Sequence, residues 1–473
     1  MDVESFRRYA HELVDWMADY AANVENLPVM SGVAPGETLS RLDSAPPEQG
    51  EPFERIMADF ESVIMPGMTH WQSPNYFAYF NANNSFPSIL AEMLTATLGA
   101  QCMSWVTSPA ATELEERVME WLREMIGLPR EFTGVIQDSA STATLCALLT
   151  AREKASGWAI NRHGFCKEQF TVYCSREAHS SIEKDVRIAG IGSHRLRRIA
   201  LNEDFAMDPA ALEAAVNADI DEGYKPLAVV AALGTTGSTA IDPLDAIAAV
   251  CRRHGLWLHV DAAYAGTALI LPSMRWMLKG IEAVDSFVFN PHKWMFTNFD
   301  CSAYFVRDPN ALVNTFTLLP EYLKTSVDGS VTNYRDWGIQ LGRRFRALKL
   351  WFVIREYGVQ GLREAVANHI RWAGEVADDI RREADFELMA PTPLATVCFR
   401  YHPQGVDDAE KLDQINQRLM DALNTSGKLF LTHTKLNGKM TLRLVVGQTR
   451  QERRHVVAAW EIIKRTARGS AHS

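Results

Sequence analysis

Short apolar runs alternate with amphipathic segments between residues 130 and 307. The runs are rich in β-branched residues and are bounded by turn residues, which is typical of strands buried on both faces of a sheet. Strands are predicted at residues 134–137, 170–175, 196–201, 227–233, 256–261, 286–289 and 301–306. Helices are predicted between them at residues 139–153, 180–189, 209–221 and 243–254. This alternation predicts an α/β domain with a mostly parallel central sheet.

Two of these helices begin with recognisable start signals. Ser180 and Glu183 have the spacing of a capping box. Asp242 stands where an N-cap is expected, directly before Pro243 at the first helical position, and Gly255 marks the end of that helix.

The two ends of the chain follow a different pattern. Apolar residues recur at helical spacing over residues 5–25, and a second helical pattern precedes Pro66 and Gly67. From residue 344 onwards the pattern predicts helices at 344–357, 359–384, 409–426 and 451–467, strands at 386–390 and 395–401, and a hairpin turning at Asn437-Gly438. We therefore predict an N-terminal helical dimerisation segment (1–84), a large α/β domain (85–350) and a small α+β domain (351–473).

Composition and charge narrow the classes of function. The chain has 473 residues, of which 47% are hydrophobic and 22% charged, with a net charge of −10 and a pI near 5.8. An acidic chain of this kind is not expected to bind nucleic acid or an anionic membrane. Seven scattered cysteines without CxxC spacing argue against disulfides and a zinc site, and no apolar leader or membrane span is evident. We expect a cytoplasmic protein without a structural metal.

Polar residues follow several of the predicted strands. Ligands of parallel sheets bind beyond the carboxyl ends of strands. The segment from Gln137 to Thr142 joins a strand to a helix and suits either a phosphate or simple helix capping. It lacks the GxxxxGK pattern of a nucleotide-binding loop, and Gly190-Ile191-Gly192 lacks the third glycine of GxGxxG.

Four further residues could carry chemistry. His179 could stack on a flat ring or be an ordinary structural histidine, and Thr235 could be a ligand or a turn residue. Asp261 ends a strand and could either cap a helix or hold a protonated ring nitrogen. Lys293 lies in Asn290-Pro291-His292-Lys293-Trp294, where desolvation and neighbouring cations could favour a neutral, nucleophilic amine. Taken alone it could equally be a lysine that extends past an aromatic side chain to solvent; the order of all these residues along the chain favours a cofactor site.

Seven segments resemble motifs of the group II pyridoxal-phosphate decarboxylases, specifically the aromatic L-amino-acid decarboxylase branch. They are SASTATL, AHSSIEKD, LGTTGST, HVDAAYAG, FNPHKW, HWQSPNYFAYF and YRDWGIQLGRRFRALKLW, and the resemblance extends from Phe6 to about Trp460. It implies PLP-dependent fold type I, which is aspartate aminotransferase-like, and pyridoxal 5′-phosphate (PLP) as the cofactor. It also implies a homodimer with active sites at the subunit interface.

The resemblance also implies roles for individual residues. Lys293 would form the Schiff base with PLP, Asp261 would pair with the ring nitrogen, and His179 would stack on the ring. The other cofactor contacts would come from Ala140, Ser141, Thr235, Ala263, Asn290 and His292. The substrate would lose carbon dioxide through a quinonoid intermediate, and Tyr322, on a lid segment, would protonate the α-carbon.

The pocket for the substrate side chain is also assigned by the resemblance. It would be lined by Trp71, Tyr79, Phe80, Ala82, Gln101, Met103, His179, Phe299, Leu341 and Gly342, with Gln101 and Met103 from the partner subunit. Gln101, Met103 and the pair Asn81-Ala82 differ from the residues usual in animal members, so the substituent on the substrate ring is left open. No arginine or lysine stands in these segments, which argues against an acidic substrate because its carboxylate would be buried unpaired.

Three alternatives remain beside aromatic amino acid decarboxylation. The first is an aromatic aldehyde synthase, although such enzymes replace the lid tyrosine or the stacking histidine and this chain keeps both. The second is a decarboxylase of an acidic amino acid. Independently of these alternatives, Arg443 could anchor a carboxylate, although a structural arginine on a strand face is the simpler interpretation. The third is a binding protein on a degenerate enzyme fold.

Overall fold

The computed structural model describes residues 1–165, 167–318 and 329–470, and within them the chain forms two compact units. One unit comprises residues 82–371 and 390–396. Its sheet has seven strands in the order β1-β7-β6-β5-β4-β2-β3. Their bounds are Thr133–Gln137 (β1), Phe170–Ser175 (β2), Leu196–Ile199 (β3), Lys225–Ala232 (β4), Trp257–Asp261 (β5), Ser286–Phe289 (β6) and Ser302–Val306 (β7).

The sheet is parallel apart from β7, which runs antiparallel to both β6 and β1. The other adjacent pairs are parallel, so the carboxyl ends of six strands lie along one edge. β2, β6 and β7 are buried along their whole length, as expected for strands covered on both faces by helices. The predicted mostly parallel sheet is thus confirmed.

Helices cover this sheet on both faces. They are Phe86–Leu98 (α4), Pro109–Ile126 (α5), Ala140–Ser156 (α6), Ala159–His163 (α7), Ser181–Ile188 (α8), Pro209–Asp221 (α9), Leu244–His254 (α10), Pro291–Trp294 (α11) and Pro309–Phe316 (α12). Helix α6 packs against α8 and α12 and lies over the central strands, which places its N-terminus at the edge where the parallel strands end.

Two predicted start signals were wrong in detail. The Ser180 side chain makes no capping hydrogen bond, and Glu183 instead forms ion pairs with Arg187 and Arg198. Asp242 is not the N-cap of α10: its buried carboxylate accepts hydrogen bonds from the backbone N–H groups of Met207 and Ala232, both at 2.7 Å. The competing donors were the backbone N–H groups of a loop residue and of the last residue of β4, and sequence spacing alone does not reveal them.

The other unit comprises residues 1–81, 372–389 and 397–473, described to residue 470. Its helices are Val3–Asn23 (α1), Glu37–Arg41 (α2), Phe53–Asp59 (α3), Ala409–Thr425 (α14) and Arg453–Ser470 (α15). Its sheet contains Phe386–Leu388 (β8), Thr396–Tyr401 (β9), Thr432–Leu436 (β10) and Lys439–Val445 (β11) in the order β10-β11-β9-β8. Asn437 and Gly438 both have positive φ, of 50° and 78°, so the predicted hairpin turn is confirmed.

One further helix, α13, runs from Arg346 to Arg382. Gly358 interrupts it with φ of 63° and ψ of 167°, which agrees with the predicted break between residues 357 and 359. The three-part domain division proposed from the sequence remains a prediction. Within the part of the chain that the structure describes, no helix is long and apolar enough to cross a membrane.

Candidate active site

Five parallel strands end at one edge of the sheet, and the predicted cofactor residues lie at or just after these strand ends. β1 leads into α6 with Ala140 and Ser141, and the turns after β2 and β4 carry His179 and Thr235. β5 ends at Asp261, and β6 is followed by the segment containing Lys293. The topology therefore places residues from distant parts of the sequence along the same edge.

The turn after β5 is tied to the turn after β6 through the backbone. Asp261 Oδ1 accepts a hydrogen bond from the N–H of Ala263 at 3.0 Å, and the Ala263 carbonyl accepts one from Asn290 at 3.0 Å. Gly266 is required next to this turn, because a Cβ there would collide with the Cβ of Phe289. The positions of Asp261 and of the lysine segment are thus fixed together.

Lys293 lies in α11, a single turn of helix, and its side chain is partly buried. Its carbonyl accepts a hydrogen bond from Asn83 Nδ2 at 2.5 Å. The next residue, Trp294, is fully buried, stacks on Tyr264 and donates a hydrogen bond from Nε1 to His369 Nδ1 at 3.0 Å. Packing on one side and a hydrogen bond on the other therefore hold the backbone of the lysine in place.

His292 is a neutral histidine at this site. Burial is the main cause that lowers its pKa to about 3, and the positive charge of Lys293 acts in the same direction. Nδ1 accepts a hydrogen bond from the N–H of Cys301 at 3.0 Å, so the ring proton resides on Nε2. The ring lies 4.6 Å from that of Phe299, which is exposed.

The predicted phosphate loop forms the N-terminus of α6. Ser139 accepts a hydrogen bond from Thr142 at 3.1 Å, and within the described residues no group accepts from the N–H groups of Ala140 and Ser141. Such N–H groups, at the positive end of a helix dipole, suit an anion. Asn290 lies beyond the end of β6 and accepts a hydrogen bond from Ser302, the first residue of the antiparallel β7, at 2.7 Å.

Thr235 is buried, and its Oγ1 makes its contacts within its own loop. It accepts a hydrogen bond from the N–H of Ala240 at 3.1 Å and lies 3.3 Å from Ser238 Oγ. Gly234 precedes it with a φ of 82°, which a side chain would strain. These contacts fix the shape of the loop, and the role of Thr235 beside the cofactor ring remains a prediction.

His179 is held in one tautomer by the first turn of α8. Its Nδ1 accepts hydrogen bonds from the N–H of Ser181 at 3.2 Å and from Ser181 Oγ at 2.9 Å, so the proton of the neutral ring resides on Nε2. The pKa of His179 is lowered mainly by desolvation and further by the charge of Lys293, whereas Asp261 acts to raise it. The His179 side chain is exposed in the single chain, and it interacts electrostatically with both Lys293 and Asp261.

Two buried residues beside Asp261 were missed in the sequence. His259 lies two residues earlier on β5, hence on the same face of the strand, and burial lowers its pKa to about 4. Asp185 on α8 is also buried, and desolvation together with the charge of Asp261 raises its pKa to about 7. The available signal was a polar residue at a position where the strand or helix pattern requires an apolar one.

A chain of hydrogen bonds fixes the His259 ring. Ser286 Oγ accepts from Trp257 Nε1 at 2.9 Å and contacts His259 Nδ1 at 2.9 Å. The other ring nitrogen of His259, Nε2, lies 3.2 Å from Thr144 Oγ1, so both ring nitrogens have a hydroxyl partner. The network links β5 and β6 to α6 behind the Asp261 turn.

The predicted substrate residues of the large unit form a second group. Gln101 Oε1 accepts a hydrogen bond from the N–H of Arg343 at 2.6 Å, and a Cβ added at Gly342 would lie 3.3 Å from Gln101 Nε2. The Met103 carbonyl accepts from Arg335, whereas Leu341 is half-exposed. Ala82, which is partly buried, begins this unit.

The remaining predicted pocket residues belong to the other unit. Trp71 stacks on Tyr79 with ring centroids 5.8 Å apart, and the guanidinium of Arg443 lies 5.3 Å from the ring of Phe80. Arg443 also donates a hydrogen bond to Thr432 at 3.1 Å, which fits a structural arginine on a strand face. Tyr322 lies outside the described residues.

The donor set at the sheet edge fits PLP. A carboxylate suits a protonated pyridine nitrogen, free helix N–H groups suit a phosphate, and a lysine amine suits an aldehyde. A neutral imidazole beside them can stack on a flat ring. The described residues hold no group of three or more His, Cys, Asp or Glu side chains placed to bind a metal ion.

Comparison with known proteins identifies the family. Residues 35–402 match the pyridoxal-dependent decarboxylase conserved domain. A phenylacetaldehyde synthase of Arabidopsis thaliana is 42% identical over 477 residues, covering 99% of this chain and 96% of that protein. Tryptophan decarboxylase 2 of Oryza sativa subsp. japonica is 42% identical over 475 residues, covering 98% of this chain and 95% of that protein.

Solved structures agree with this relationship. The crystal structure of Oryza sativa TDC with PLP and tryptamine matches with a TM-score of 0.95 at 38% identity, covering 99% of both chains. The predicted fold type I is therefore confirmed. The chain belongs to the pyridoxal-dependent decarboxylase family and is a carboxy-lyase that uses pyridoxal 5′-phosphate as its cofactor.

Proposed function

We propose that this enzyme decarboxylates an aromatic L-amino acid to the corresponding arylalkylamine and carbon dioxide. The observation that carries the proposal is the neutral His179 ring, held in its Nε2–H tautomer beside Lys293 and Asp261. This places a flat, uncharged surface and one N–H donor next to the residue that would bind the cofactor covalently.

Each residue at the sheet edge has a distinct task in this proposal. Lys293 holds the cofactor aldehyde through its amine, and Asp261 keeps the ring nitrogen protonated. The N–H groups of Ala140 and Ser141 bind the phosphate, with Asn290 nearby. PLP, when bound, supplies the electron sink that accepts the electron pair left by carbon dioxide.

His179 and Tyr322 control the proton in this proposal. His179 covers the ring and offers its Nε2–H to the substrate, because Nδ1 is occupied by two donors from Ser181. Tyr322 is proposed to deliver the proton that replaces the carboxyl group on the α-carbon. Lowering the pKa of His179 keeps that ring neutral, so that it adds no positive charge next to Lys293.

The aromatic class of substrate is supported by two kinds of observation. The rice relative is named a tryptophan decarboxylase, and the Arabidopsis relative a phenylacetaldehyde synthase. Segments 79–82 and 101–103 also carry no cationic side chain that could pair with an acidic substrate. We propose that Trp71, Tyr79 and Phe80, with Phe299, Met103 and Leu341, bind the aromatic ring, while Gln101 and Gly342 select among its substituents.

An aldehyde synthase is the second candidate function. It is favoured by the 42% identity to the Arabidopsis phenylacetaldehyde synthase. Such an enzyme would consume oxygen and release an aldehyde, ammonia and hydrogen peroxide together with carbon dioxide. The presence of both His179 and Tyr322 supports the amine-forming reaction instead.

One product assay separates these possibilities. Purified enzyme loaded with PLP would be given tryptophan, phenylalanine, tyrosine, their hydroxylated forms, glutamate and cysteine sulfinate. Carbon dioxide, amine, aldehyde, ammonia and peroxide would be measured together. Amine equal to carbon dioxide from an aromatic substrate supports the proposal, whereas peroxide and ammonia equal to carbon dioxide support the synthase.

We also propose a homodimer with the active sites at the subunit interface. Helix α4 exposes one apolar stripe, consisting of Phe86, Leu90, Met93, Leu94 and Leu98, with exposed fractions between 38% and 64%. A stripe with helical spacing on one face is expected to be covered by another apolar surface. A second copy of the chain is the proposed cover.

The location of the protein is proposed to be the cytoplasm. The six cysteines within the described residues are all unpaired and buried, which fits a reducing compartment. Fractionation of the native host cells, with the enzyme detected by its activity, would test this.

A further inference from the structure

Glu115 and Arg343 form a buried ion pair next to β1. Glu115 lies on α5, Arg343 lies shortly before α13, and their exposed fractions are 2% and 7%. Arg343 Nη2 donates a hydrogen bond to Glu115 Oε1 at 2.6 Å, and Nη1 donates one to Oε2 at 3.2 Å. The guanidinium also lies 4.7 Å from the centre of the Tyr334 ring. This bidentate geometry fixes the orientation of both charged side chains.

The ion pair holds the strand that leads into the phosphate loop. β1 is an edge strand of the described sheet, and helix α5 packs against it. Ile136 on β1 donates its N–H to Glu115 Oε1 at 2.8 Å, and its carbonyl accepts from Arg343 Nη2 at 2.8 Å. Ala140 and Ser141 follow shortly afterwards in the chain. The pair therefore supports the strand just before the N–H groups that suit a phosphate.

The same arginine holds residues 101–103, which we call the substrate segment. The N–H of Cys102 donates to the carbonyl of Arg343 at 2.9 Å, and Arg343 Nη1 donates to the carbonyl of Cys102 at 3.4 Å. The N–H of Arg343 donates to Gln101 Oε1 at 2.6 Å. The carbonyl of Met103 accepts from the N–H of Arg335 at 2.8 Å. Backbone and side chain of Arg343 thus both tie the substrate segment to the edge of the sheet.

Stability alone does not account for two buried charges at this place. Apolar side chains of similar volume often serve a fold equally well, because burial of an ion pair carries a desolvation cost. Apolar side chains do not, however, provide directed hydrogen bonds. Here the carboxylate and the planar guanidinium together bind backbone groups of Ile136 and Cys102, which belong to different segments of the chain. The pair is therefore suited to fixing the position of one segment relative to the other.

We propose that Glu115 and Arg343 are positioning residues that hold the phosphate loop and the substrate segment in one fixed relation. This inference rests on the proposed function, in which the phosphate loop binds PLP and the substrate segment contacts the aromatic ring. In the proposed dimer, the substrate segment belongs to the active site of the other subunit. The ion pair then links the cofactor loop of one active site to the substrate wall of the other.

The separate effects on KM and kcat test the positioning role. Glu115→Gln removes the negative charge and weakens the contacts to Arg343. KM for the aromatic substrate is expected to rise by about tenfold and kcat to change much less, because the substrate segment binds a part of the substrate remote from the reacting bond. An unchanged KM in Glu115→Gln would overturn the inference.

A buried ion pair at the opposite edge of the sheet provides the matched control. Asp219 on α9 is 3% exposed and pairs with Arg197 on β3, the other edge strand. Asp219→Asn should lower thermal stability, as Glu115→Gln should, and leave KM unchanged. An equal rise of KM in the two variants would show a general effect of lost stability and would overturn the inference.

Hydrogen exchange gives a readout that does not depend on activity. Cofactor-free wild type, Glu115→Gln and Asp219→Asn would be compared by mass spectrometry of peptides. Peptides that cover residues 99–106 and 133–142 are expected to exchange faster together in Glu115→Gln alone. Faster exchange in only one of these two peptides would overturn the proposed link between the segments.

Arg343→Lys is a second variant, which decides the matter if Glu115→Gln does not fold. Lysine keeps the charge but cannot bind Glu115 and the Ile136 carbonyl with one planar fork. It should show the same rise in KM and the same paired exchange, and wild-type values would overturn the inference. Borohydride reduction with peptide mass spectrometry shows whether PLP is attached to Lys293. Attachment with an unchanged KM refutes the inference alone, whereas no attachment in wild type refutes the proposed site itself.

Hybrid dimers test the link between the two active sites. One chain of each hybrid carries Lys293→Ala, so that a single working site remains. Glu115→Gln on that same chain should raise KM, because this chain supplies the substrate segment of the working site. Glu115→Gln on the other chain should instead speed the loss of PLP and leave KM near the wild-type value. The reverse pattern, or no difference between the two hybrids, would overturn the inference.

Discussion

The indole of Trp294 lies flat against the ring of Tyr264, with ring centroids 4.5 Å apart and planes inclined by 7°. Both rings are fully buried. Tyr264 follows Asp261 by three residues, and Trp294 follows Lys293 directly. The stack therefore joins the turn that carries the carboxylate to the turn that carries the amine.

Removing this stack should weaken both the fold and the cofactor site. Trp294→Ala is expected to lower the free energy of unfolding by about 3–5 kcal/mol, because a large aromatic side chain leaves a cavity. Thermal and denaturant unfolding would measure the loss, and PLP content would report the displaced lysine. Trp276→Ala, at a tryptophan that is 56% exposed, is the control. Equal losses in the two variants would refute the role of the stack.

Lys293→Ala should abolish covalent attachment of PLP and turnover. An alanine cannot condense with an aldehyde, so borohydride should no longer fix PLP to the protein. Peptide mass spectrometry and the amine assay would check this. Lys279→Ala, which removes an exposed lysine paired with Asp245, should retain both properties. Amine production by Lys293→Ala would contradict the assignment.

Ser181→Ala should shift the acidic limb of the pH profile to higher pH. The Ser181 hydroxyl stabilises the neutral His179 ring by donating to Nδ1, and its loss should raise the pKa of that ring. One hydrogen bond is worth about 1 kcal/mol, so the limb should move by up to about one pH unit. Ser180→Ala removes a hydroxyl that makes no capping bond and should leave the profile unchanged. The log of kcat/KM against pH is the measurement, and an unmoved limb in Ser181→Ala would speak against His179 as its origin.

Tyr322→Phe should divert product from amine towards aldehyde. Without the phenol, protonation of the α-carbon slows, and oxygen can capture the electrons instead. Peroxide and aldehyde should rise relative to carbon dioxide in the variant. An unchanged amine yield would exclude Tyr322 as the proton donor.

Leu90→Glu should dissociate the proposed dimer. A carboxylate in the middle of the apolar stripe of α4 would be buried without a partner in the assembled state. Light scattering after gel filtration would measure the molar mass. Ile188→Glu, at an isoleucine that is 60% exposed on α8, is the control that should leave the mass unchanged. A monomeric wild type would refute the proposed assembly outright.

The sequence predicted the strands of the large unit well because their apolar runs are continuous. β2 and β6 begin and end at the predicted residues, and β1, β3, β4, β5 and β7 differ by one or two residues at their ends. Gly255, the predicted end of α10, has positive φ directly after that helix, whereas α6 runs to Ser156, three residues past its predicted end. Continuous apolar runs and glycines that end helices are local features of the sequence, so they can be recognised without knowledge of the fold.

Interactions between distant residues could not be predicted in this way. Asp242 has the sequence position of a helix cap but accepts hydrogen bonds from the backbone N–H groups of Met207 and Ala232, which are distant along the chain. Asp185 and His259 become notable only because folding brings both close to Asp261. The resemblance to a known family supplied the cofactor residues, and it gave no indication of these two buried groups.

The position of β7 also determines when the site can form. Within the described sheet, β1 is an edge strand, and its neighbour is β7, the last of the seven along the chain. The phosphate loop therefore gains its strand support only after residue 306 has been synthesised. Such long-range pairing slows folding. A ribosome-bound chain that ends before β7 lacks the strand that pairs with β1. We therefore expect such a chain to be unable to retain PLP.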